Sequence, residues 1–190
     1  MIDLGTGDGR AVLAEALDPA TLAIGIDADA TAMAEASRRA SRPAAKGGLP
    51  NAIFVASGVD RLPPELDGIA RRVSVRFPWG SLLRGALGLD PAMTAAIARL
   101  VAVDGELELL LSLTDRDAVE GRAPGPLDDA DTRRIVEAFL AHGLILESCE
   151  DLTPADLAGL ASTWARRLRV GTERPARRYR FVRRTTGDIG

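Results

Sequence analysis

The feature that most constrains the fold is an alternation of short apolar segments with helix-like segments along the whole chain. Strands are predicted at residues 1–4, 21–27, 53–56, 73–77, 105–113, 144–148 and 179–182. Helices are predicted at residues 10–17, 31–41, 91–100 and 131–142, and from residue 153 onward. Strands that alternate with helices favour a doubly wound, mostly parallel α/β sheet. A chain of 190 residues suits one such domain and is short for two.

A glycine-rich segment, DLGTGDGR, directly follows the first predicted strand and precedes the first helix. Gly5, Gly7 and Gly9 allow a tight turn there and let a ligand approach the backbone. Asp27 ends the second predicted strand, where its carboxylate can accept hydrogen bonds from ribose hydroxyls. The G-x-G-x-G spacing, with Asp3 two residues before it, is usual for S-adenosylmethionine sites rather than for dinucleotide sites. We therefore predict a nucleoside cofactor, with an ordinary glycine-rich turn as the alternative.

The segment FPWGSLLRG places a tryptophan where the strand at 73–77 ends. Aromatic residues are scarce, with two Trp, four Phe and one Tyr in the chain. The carboxyl ends of parallel strands border the ligand crevice in this fold class. We therefore expect Trp79 to face a crevice, and the alternative is a tryptophan buried in the core.

The charge is unevenly distributed, although the net charge is only −3. Between Trp164 and Arg184 there are nine arginines and a single acidic residue, Glu173. Two further basic clusters contain Arg38, Arg39, Arg42 and Lys46, and Arg71, Arg72, Arg76 and Arg84. This segregation indicates a surface that faces a polyanion on an otherwise acidic body. A solvated arginine-rich tail is the alternative.

Several classes of protein are disfavoured by what the chain contains. No apolar run approaches the roughly 20 residues that span a bilayer, and no signal peptide is predicted. A single cysteine, Cys149, cannot form an internal disulfide, which suits a reducing cytoplasm. With one histidine, His142, the chain offers no usual metal-ligand cluster, so we expect no metal. The same inventory disfavours Ser–His or Cys–His nucleophilic catalysis.

Four segments occur in an order that resembles a known family: IDLGTGDGR, KGGLPN, FPWGSLLRG and STWARRL. They resemble the aminoglycoside-resistance methyltransferases that modify adenine 1408 of 16S rRNA at N1, from Ile2 to about Arg174. The resemblance implies a class I, Rossmann-like methyltransferase with a seven-stranded type of sheet. It also implies S-adenosylmethionine as cofactor, S-adenosylhomocysteine as product and the small ribosomal subunit as partner of a cytoplasmic monomer. The chain begins inside the first predicted strand, so we expect it to lack the N-terminal extension of the family.

The same resemblance assigns roles to individual residues. Trp79 and Trp164 would hold the target adenine after it leaves its helix, with Pro78 fixing the loop. The implied cofactor contacts are Asp3, Gly5, Thr6, Gly7, Gly9, Asp27, Asp60, Ser81 and Ser162. The implied RNA contacts are Arg38, Arg39, Arg42, Lys46, Arg84, Arg166, Arg167 and Arg174, on or near RNA-facing linkers at about residues 42–50, 114–130 and 152–178.

Two other functions stay open on the sequence alone. A small-molecule S-adenosylmethionine-dependent methyltransferase would have a closed apolar pocket and no use for the arginine clusters. An inactive homologue would bind the cofactor without transferring a methyl group.

Overall fold

The computed structural model describes residues 1–158 and 174–185. The strands in these residues are β1 (Ile2–Leu4), β2 (Ala23–Asp27), β3 (Ala52–Ala56), β4 (Ala70–Arg76), β5 (Val101–Leu111), β6 (Leu144–Asp151) and β7 (Arg177–Arg183). The α-helices are α1 (Arg10–Glu15), α2 (Ala30–Ala40), α3 (Gly80–Ala86), α4 (Pro91–Ala98), α5 (Asp129–Leu140) and α6 (Pro154–Ala158). Short 3-10 turns lie at Ala44–Lys46, Val59–Arg61 and Pro64–Leu66.

The strands form one sheet in the order β3-β2-β1-β4-β5-β7-β6. All neighbouring pairs from β3 to β5 are parallel, and β7 is antiparallel to both β5 and β6. Strands β2 and β3 are added in turn on one side of β1, and the chain then crosses back so that β4 pairs with the other side of β1. The strand order therefore reverses between β1 and β4, which is where ligands bind in open α/β sheets. The predicted doubly wound, mostly parallel fold is confirmed.

Local sequence signals start several of the helices. Asp29 caps α2, because its side chain accepts a hydrogen bond from the backbone N–H of Thr31 at 2.9 Å. Asp128 and Asp131 form a reciprocal capping box at the start of α5, with N···O distances of 2.8 and 3.2 Å. Such caps satisfy backbone donors that have no partner inside the helix.

The alternation of side chains along the strands divides the core between the two faces of the sheet. The larger cluster packs Ile2, Leu4, Val75 and their neighbours against α3, α4 and α5. On the other face, α1 and α2 pack through small clusters around Val12 and Ala36. The sheet is thus held from both sides, and its carboxyl edge carries the loops that build the site.

Helix α3 was not predicted from the sequence, although the longer helices α2, α4 and α5 were. Trp79 precedes α3 without a side-chain capping bond, and glycine is its first residue. The helix is stabilised by burial of Leu83 and Ala86 in the main core, not by local signals. None of the helices within the described residues is long and apolar enough to cross a membrane.

Candidate functional site

A cleft of about 380 Å³ opens at the carboxyl edge of the sheet, beside the point where the strand order reverses. Its walls come from the loops after β1, β2, β3 and β4 and from the start of α3. The residues that line it are Gly5, Gly7, Ile26, Asp27, Ala28, Asp29, Ala32, Ser57, Gly58, Val59, Asp60, Phe77, Pro78, Trp79, Ser81, Leu82 and Met93. The volume lies in the range of about 300–1,000 Å³ that is typical of small-molecule sites.

The glycine loop forms the floor of the cleft. Gly5 and Gly7 have φ angles of +68° and +56°, in the left-handed region that favours glycine. A Cβ on Gly5 would lie 2.9 Å from Cδ2 of Leu82, so a side chain there would also have to displace the end of the Leu82 side chain on α3. The backbone N–H groups of Gly5 and Thr6 both donate to the Ile26 carbonyl, at 2.8 and 3.1 Å. These bonds fix the loop across the ends of β1 and β2, and its backbone at Gly5 and Gly7 faces the cleft without side chains.

Asp27 joins two of the loops that surround the cleft. Its Oδ2 accepts from the backbone N–H of Gly7 at 2.8 Å, and its Oδ1 accepts from the backbone N–H of Asp29 at 2.9 Å. Each carboxylate oxygen can accept a second hydrogen bond. The half-buried side chain can thus hold the loops together and still accept from a ligand hydroxyl. The sequence predicted that Asp27 contacts a ligand, but not that it holds these two loops together.

Two further polar side chains face the cleft from other walls. The 3-10 turn Val59–Arg61 places Asp60 on the wall that follows β3. A Cβ on Gly58 would lie 2.5 Å from Oδ1 of Asp60, so glycine there leaves room for this carboxylate. Ser81, which is exposed, lies on the opposite wall at the start of α3. Polar groups thus converge from three directions.

Asp3 lies beneath the glycine loop and is absent from the residues that line the cleft. It is only 3% exposed, and its Oδ1 accepts a hydrogen bond from the hydroxyl of Ser74 on β4. Burial raises the pKa of the Asp3 carboxyl, although the Arg76 guanidinium and the Ser74 hydroxyl act against the rise. In this structure the Asp3 side chain is therefore bonded to β4, behind the residues that line the cleft.

Two other predicted cofactor residues also lie behind the wall. Thr6 is buried. Gly9 is the N-cap of α1, with a φ of +70°, and a Cβ there would lie 2.5 Å from the Phe54 ring and 2.7 Å from the Ala36 Cβ. The glycine at position 9 therefore serves the packing of α1 against α2 and β3. Five predicted cofactor residues do line the cleft: Gly5, Gly7, Asp27, Asp60 and Ser81.

The turn after β4 brings the scarce tryptophan to the mouth of the cleft. Phe77 has a φ of +50°, an uncommon conformation for a residue with a side chain, and its N–H donates to the Leu110 carbonyl at 2.8 Å. The Phe77 and Pro78 side chains are buried. Trp79, in contrast, is 49% exposed and lines the cleft. The expectation that Trp79 faces a crevice is therefore confirmed.

A smaller pocket adjoins Trp79 on the side away from the glycine loop. It is lined by Phe77, Pro78, Trp79, Leu83, Ser112, Leu113, Asp117 and Arg174. Arg174 donates to Oδ2 of Asp117 at 2.6 Å and to the Ser112 carbonyl at 3.3 Å, and both charged side chains are largely buried. Burial acts to raise the pKa of Asp117, but hydrogen bonds from Thr114 and Arg174 outweigh it and lower the pKa. Arg174, predicted to contact RNA, is thus paired inward at the pocket wall.

The other predicted RNA contacts fall into three groups. The cluster of Arg38, Arg39, Arg42 and Lys46 is exposed, at the end of α2 and in the turn that follows. Arg84 forms an ion pair with Glu120. Arg166 and Arg167 lie outside the described residues, as do Ser162 and Trp164, which were predicted to contact the cofactor and the adenine.

Described residues on both sides of the segment with Trp164 pack next to the turn after β4. The N–H of Leu152 donates to the Ala176 carbonyl at 2.8 Å. Leu152, Leu157 and Ala176 pack in one small cluster with Phe77 and Leu110. The two described ends of the 152–178 connection therefore meet beside Phe77, two residues before Trp79.

Comparison with known proteins identifies the family that carries this site. The family model described as NpmA, 16S rRNA (adenine(1408)-N(1))-methyltransferase, matches residues 1–182. The chain is 35% identical over 178 residues to the 16S rRNA (adenine(1408)-N(1))-methyltransferase of Streptoalloteichus tenebrarius, covering 92% of this chain and 82% of that protein.

Solved structures agree in fold with the same family. The 16S rRNA (adenine(1408)-N(1))-methyltransferase of Catenulisporales acidiphilia, a variant solved with its cosubstrate SAM, superposes with a TM-score of 0.86 at 28% identity, over 100% of this chain and 87% of that one. The aminoglycoside resistance methyltransferase NpmB1 gives a TM-score of 0.74 at 37% identity, over 96% of this chain and 85% of that one. The chain therefore belongs to the 16S rRNA (adenine(1408)-N(1))-methyltransferase family.

Proposed function

We propose that this protein transfers a methyl group from S-adenosylmethionine to N1 of adenine 1408 in 16S rRNA of the small ribosomal subunit, and so confers aminoglycoside resistance. The observation that carries the proposal is the family match over residues 1–182, on a chain that places an exposed tryptophan at the mouth of a cofactor-sized cleft.

The residues of the cleft fit the proposed cofactor. Asp27 has acceptor capacity left for ribose hydroxyls, and Asp60 offers a carboxylate on the neighbouring wall. Gly5 and Gly7 leave the backbone open where a ligand passes, and Ser81 borders the wall next to Trp79. When bound, S-adenosylmethionine supplies an electrophilic methyl group on a sulfonium, and S-adenosylhomocysteine is the product that we propose.

Trp79 is the residue that we propose for holding the adenine. A base inside an RNA helix hides N1 in pairing and stacking, so the enzyme must extrude it at a cost of a few kcal/mol. Stacking on one aromatic face returns about 1–3 kcal/mol. Trp164 is proposed as the second face, from the resemblance of its motif alone, so that the two rings together offset most of the cost.

The protein has no proton to remove in this reaction. N1 of neutral adenine carries a lone pair, so attack on the methyl group needs no general base. The role of the chain is to align N1 with the methyl carbon, an effect of proximity and orientation. We propose that backbone carbonyls near Phe77 and Pro78 accept from the exocyclic amine of adenine and so select it over guanine. The strained φ of Phe77 supports a specialised backbone at this point.

The remaining features of the proposal concern how the protein works in the cell. We propose a single methyltransferase domain that acts as a cytoplasmic monomer without a metal, with RNA-facing connections at 42–50, 114–130 and 152–178. The exposed cations at the end of α2 support an RNA contact at 42–50. The Asp117–Arg174 pair supports a role for the other two connections in shaping the pocket beside Trp79.

The test is methyl transfer to purified small ribosomal subunits with isotope-labelled S-adenosylmethionine. We expect label in the 16S rRNA, released on digestion as 1-methyladenosine, and strong loss of label with Trp79→Ala. Label in a different nucleoside, or transfer to small molecules but not to subunits, would contradict the proposal.

A further inference from the structure

The KGGLPN segment, residues 46–51, forms a closed turn between α2 and β3. The N–H of Lys46 and the N–H of Gly48 both donate to the Pro43 carbonyl, at 2.8 and 3.2 Å. The N–H of Leu49 then donates back to the Ala40 carbonyl, on the last residue of α2, at 2.9 Å. The predicted linker at 42–50 is therefore a folded turn with its own hydrogen bonds.

Gly48 is the position at which this turn closes. It is buried, and a Cβ there would lie 1.7 Å from the carbonyl oxygen of Arg42 and 2.5 Å from its carbonyl carbon. Real Cβ atoms essentially never come within 3.0 Å of another atom, and here the obstacle is backbone, which cannot rotate away. Any side chain at position 48 must therefore open the turn.

Asn51 anchors the far end of the turn to the body of the protein. Its Nδ2 lies 2.9 Å from the Ala16 carbonyl, 3.1 Å from the Asp18 carbonyl and 2.9 Å from the Thr21 carbonyl. A side-chain amide has two N–H donors, so three carbonyls share them. This interaction ties the turn to the connection between α1 and β2.

The turn presents two cations that no described residue neutralises. Arg42 and Lys46 are exposed, and no residue in the described part of the chain forms an ion pair or side-chain hydrogen bond with them. Arg84 and Arg174, in contrast, are paired with Glu120 and Asp117. The available positive charge of the described surface thus includes the end of α2 and this turn.

We infer that the KGGLPN turn, closed at Gly48 and anchored at Asn51, is a positioning element that holds Arg42 and Lys46 in one arrangement for RNA phosphates. The inference rests on the proposed function, because the RNA partner comes from it. Side chains on a mobile loop must be ordered on binding, whereas a turn that is already closed in the free protein has been ordered during folding. RNA affinity therefore depends on closure of the turn as well as on the number of charges.

The test compares Gly48→Ala with wild type in binding to purified small subunits over a range of salt concentrations. The substitution changes no charge, so a purely electrostatic account predicts no effect. We expect the slope of log affinity against log salt to become shallower by about one to two units. That corresponds to roughly a fivefold decrease in affinity at 0.15 M salt for each phosphate that the variant no longer neutralises. Affinity for S-adenosylmethionine, measured by calorimetry, is expected to stay at the wild-type value.

Two further variants make the result interpretable. Gly68→Ala is the control for a glycine-to-alanine change elsewhere on the surface, since a Cβ on Gly68 would meet nothing within 4 Å and Gly68 lies outside the KGGLPN turn. It is expected to bind subunits as wild type does. The double variant Arg42→Gln, Lys46→Gln is expected to reproduce the shallower slope of Gly48→Ala.

Wild-type affinity and slope in folded Gly48→Ala would overturn the inference while leaving the proposed function intact. If Gly48→Ala does not fold, Asn51→Ala replaces it, because it removes the bonds from Asn51 Nδ2 that anchor the turn and changes no charge; unchanged binding in that variant would equally reject the inference. Failure of the wild-type protein to bind or methylate subunits would instead reject the proposed function.

Discussion

Replacing Asp27 with alanine is expected to weaken both the cofactor site and the fold around it. The carboxylate accepts two backbone N–H groups, from Gly7 and Asp29, and we propose that it also accepts from the ribose. A hydrogen bond to a charged group contributes about 1.5–3 kcal/mol, so cofactor affinity should fall by about 10- to 150-fold. The bond from Gly7 is partly buried and the bond from Asp29 is exposed, so loss of both should lower the free energy of unfolding by about 2 kcal/mol together. For a chain of this size that corresponds to a decrease of roughly 4–8 °C in Tm.

Calorimetry with S-adenosylmethionine and thermal unfolding of the same samples measure the two effects. Asp18→Ala is the control, because the Asp18 carboxylate also accepts two hydrogen bonds, from the Ala20 N–H at 3.0 Å and the Thr21 hydroxyl at 2.9 Å, in a turn outside the cleft. It should leave cofactor affinity unchanged. Full affinity in Asp27→Ala, or an equal decrease in affinity in both variants, would refute the assignment of Asp27 to the ribose.

Three more predictions follow from other parts of the site. Trp79→Ala should leave cofactor affinity nearly intact while strongly reducing methylation of subunits, and Trp79→Phe should retain part of the activity. If Trp164 holds the other face of the adenine, the variant with both tryptophans replaced by alanine should lose less activity than the sum of the two single losses. Strict additivity would indicate that the two residues have separate roles. Because burial raises the pKa of Asp3 above its usual 3.8, native stability should fall as pH rises from that value through the folded pKa. Asp3→Asn should remove this dependence in thermal unfolding, and an equal pH profile in both proteins would contradict it. Arg174→Gln and Asp117→Asn should show a coupling of about 0.5–3 kcal/mol in a double-mutant cycle of unfolding, and no coupling would mean that their ion pair contributes nothing.

The general fold and the position of the cleft could be predicted because both depend on local patterns. Apolar segments alternate with helices, and a glycine loop follows β1, so the doubly wound sheet and its ligand edge follow from general rules. Asp27 and Trp79 were found in the same way, as the residues that end β2 and follow β4. The structure places both at the cleft.

Conformations that depend on distant contacts were not predictable. The left-handed φ of Phe77 carries no local signal, since proline follows it and no glycine stands there. That conformation is stabilised by packing against Leu152, Leu157 and Ala176, which are distant in sequence. Helix α3 was missed for the same reason, because burial of Leu83 and Ala86 supports it.

The sequence shows how many charged residues the chain has, but not which of them form ion pairs with one another. Arg174 and Asp117 are 57 positions apart, and Arg84 and Glu120 are 36 apart, so composition alone could not show that these arginines are paired. Asp3 shows the reverse case, in which a residue next to a binding loop is buried beneath it. The exposed cluster at the end of α2, in contrast, lies where the sequence placed it, because a helix end of consecutive charged residues is solvated.

Mapping the methylated nucleotide tests the central claim most directly. Small subunits incubated with the protein and S-adenosylmethionine are used as templates for primer extension across the 3′ region of 16S rRNA. A methyl group on N1 of adenine blocks base pairing, so the account predicts a reverse-transcriptase stop at adenine 1408 that requires both protein and cofactor and is strongly reduced with Trp79→Ala. Methyl transfer to the subunit with no stop at adenine 1408, or with a stop at another nucleotide, would contradict it.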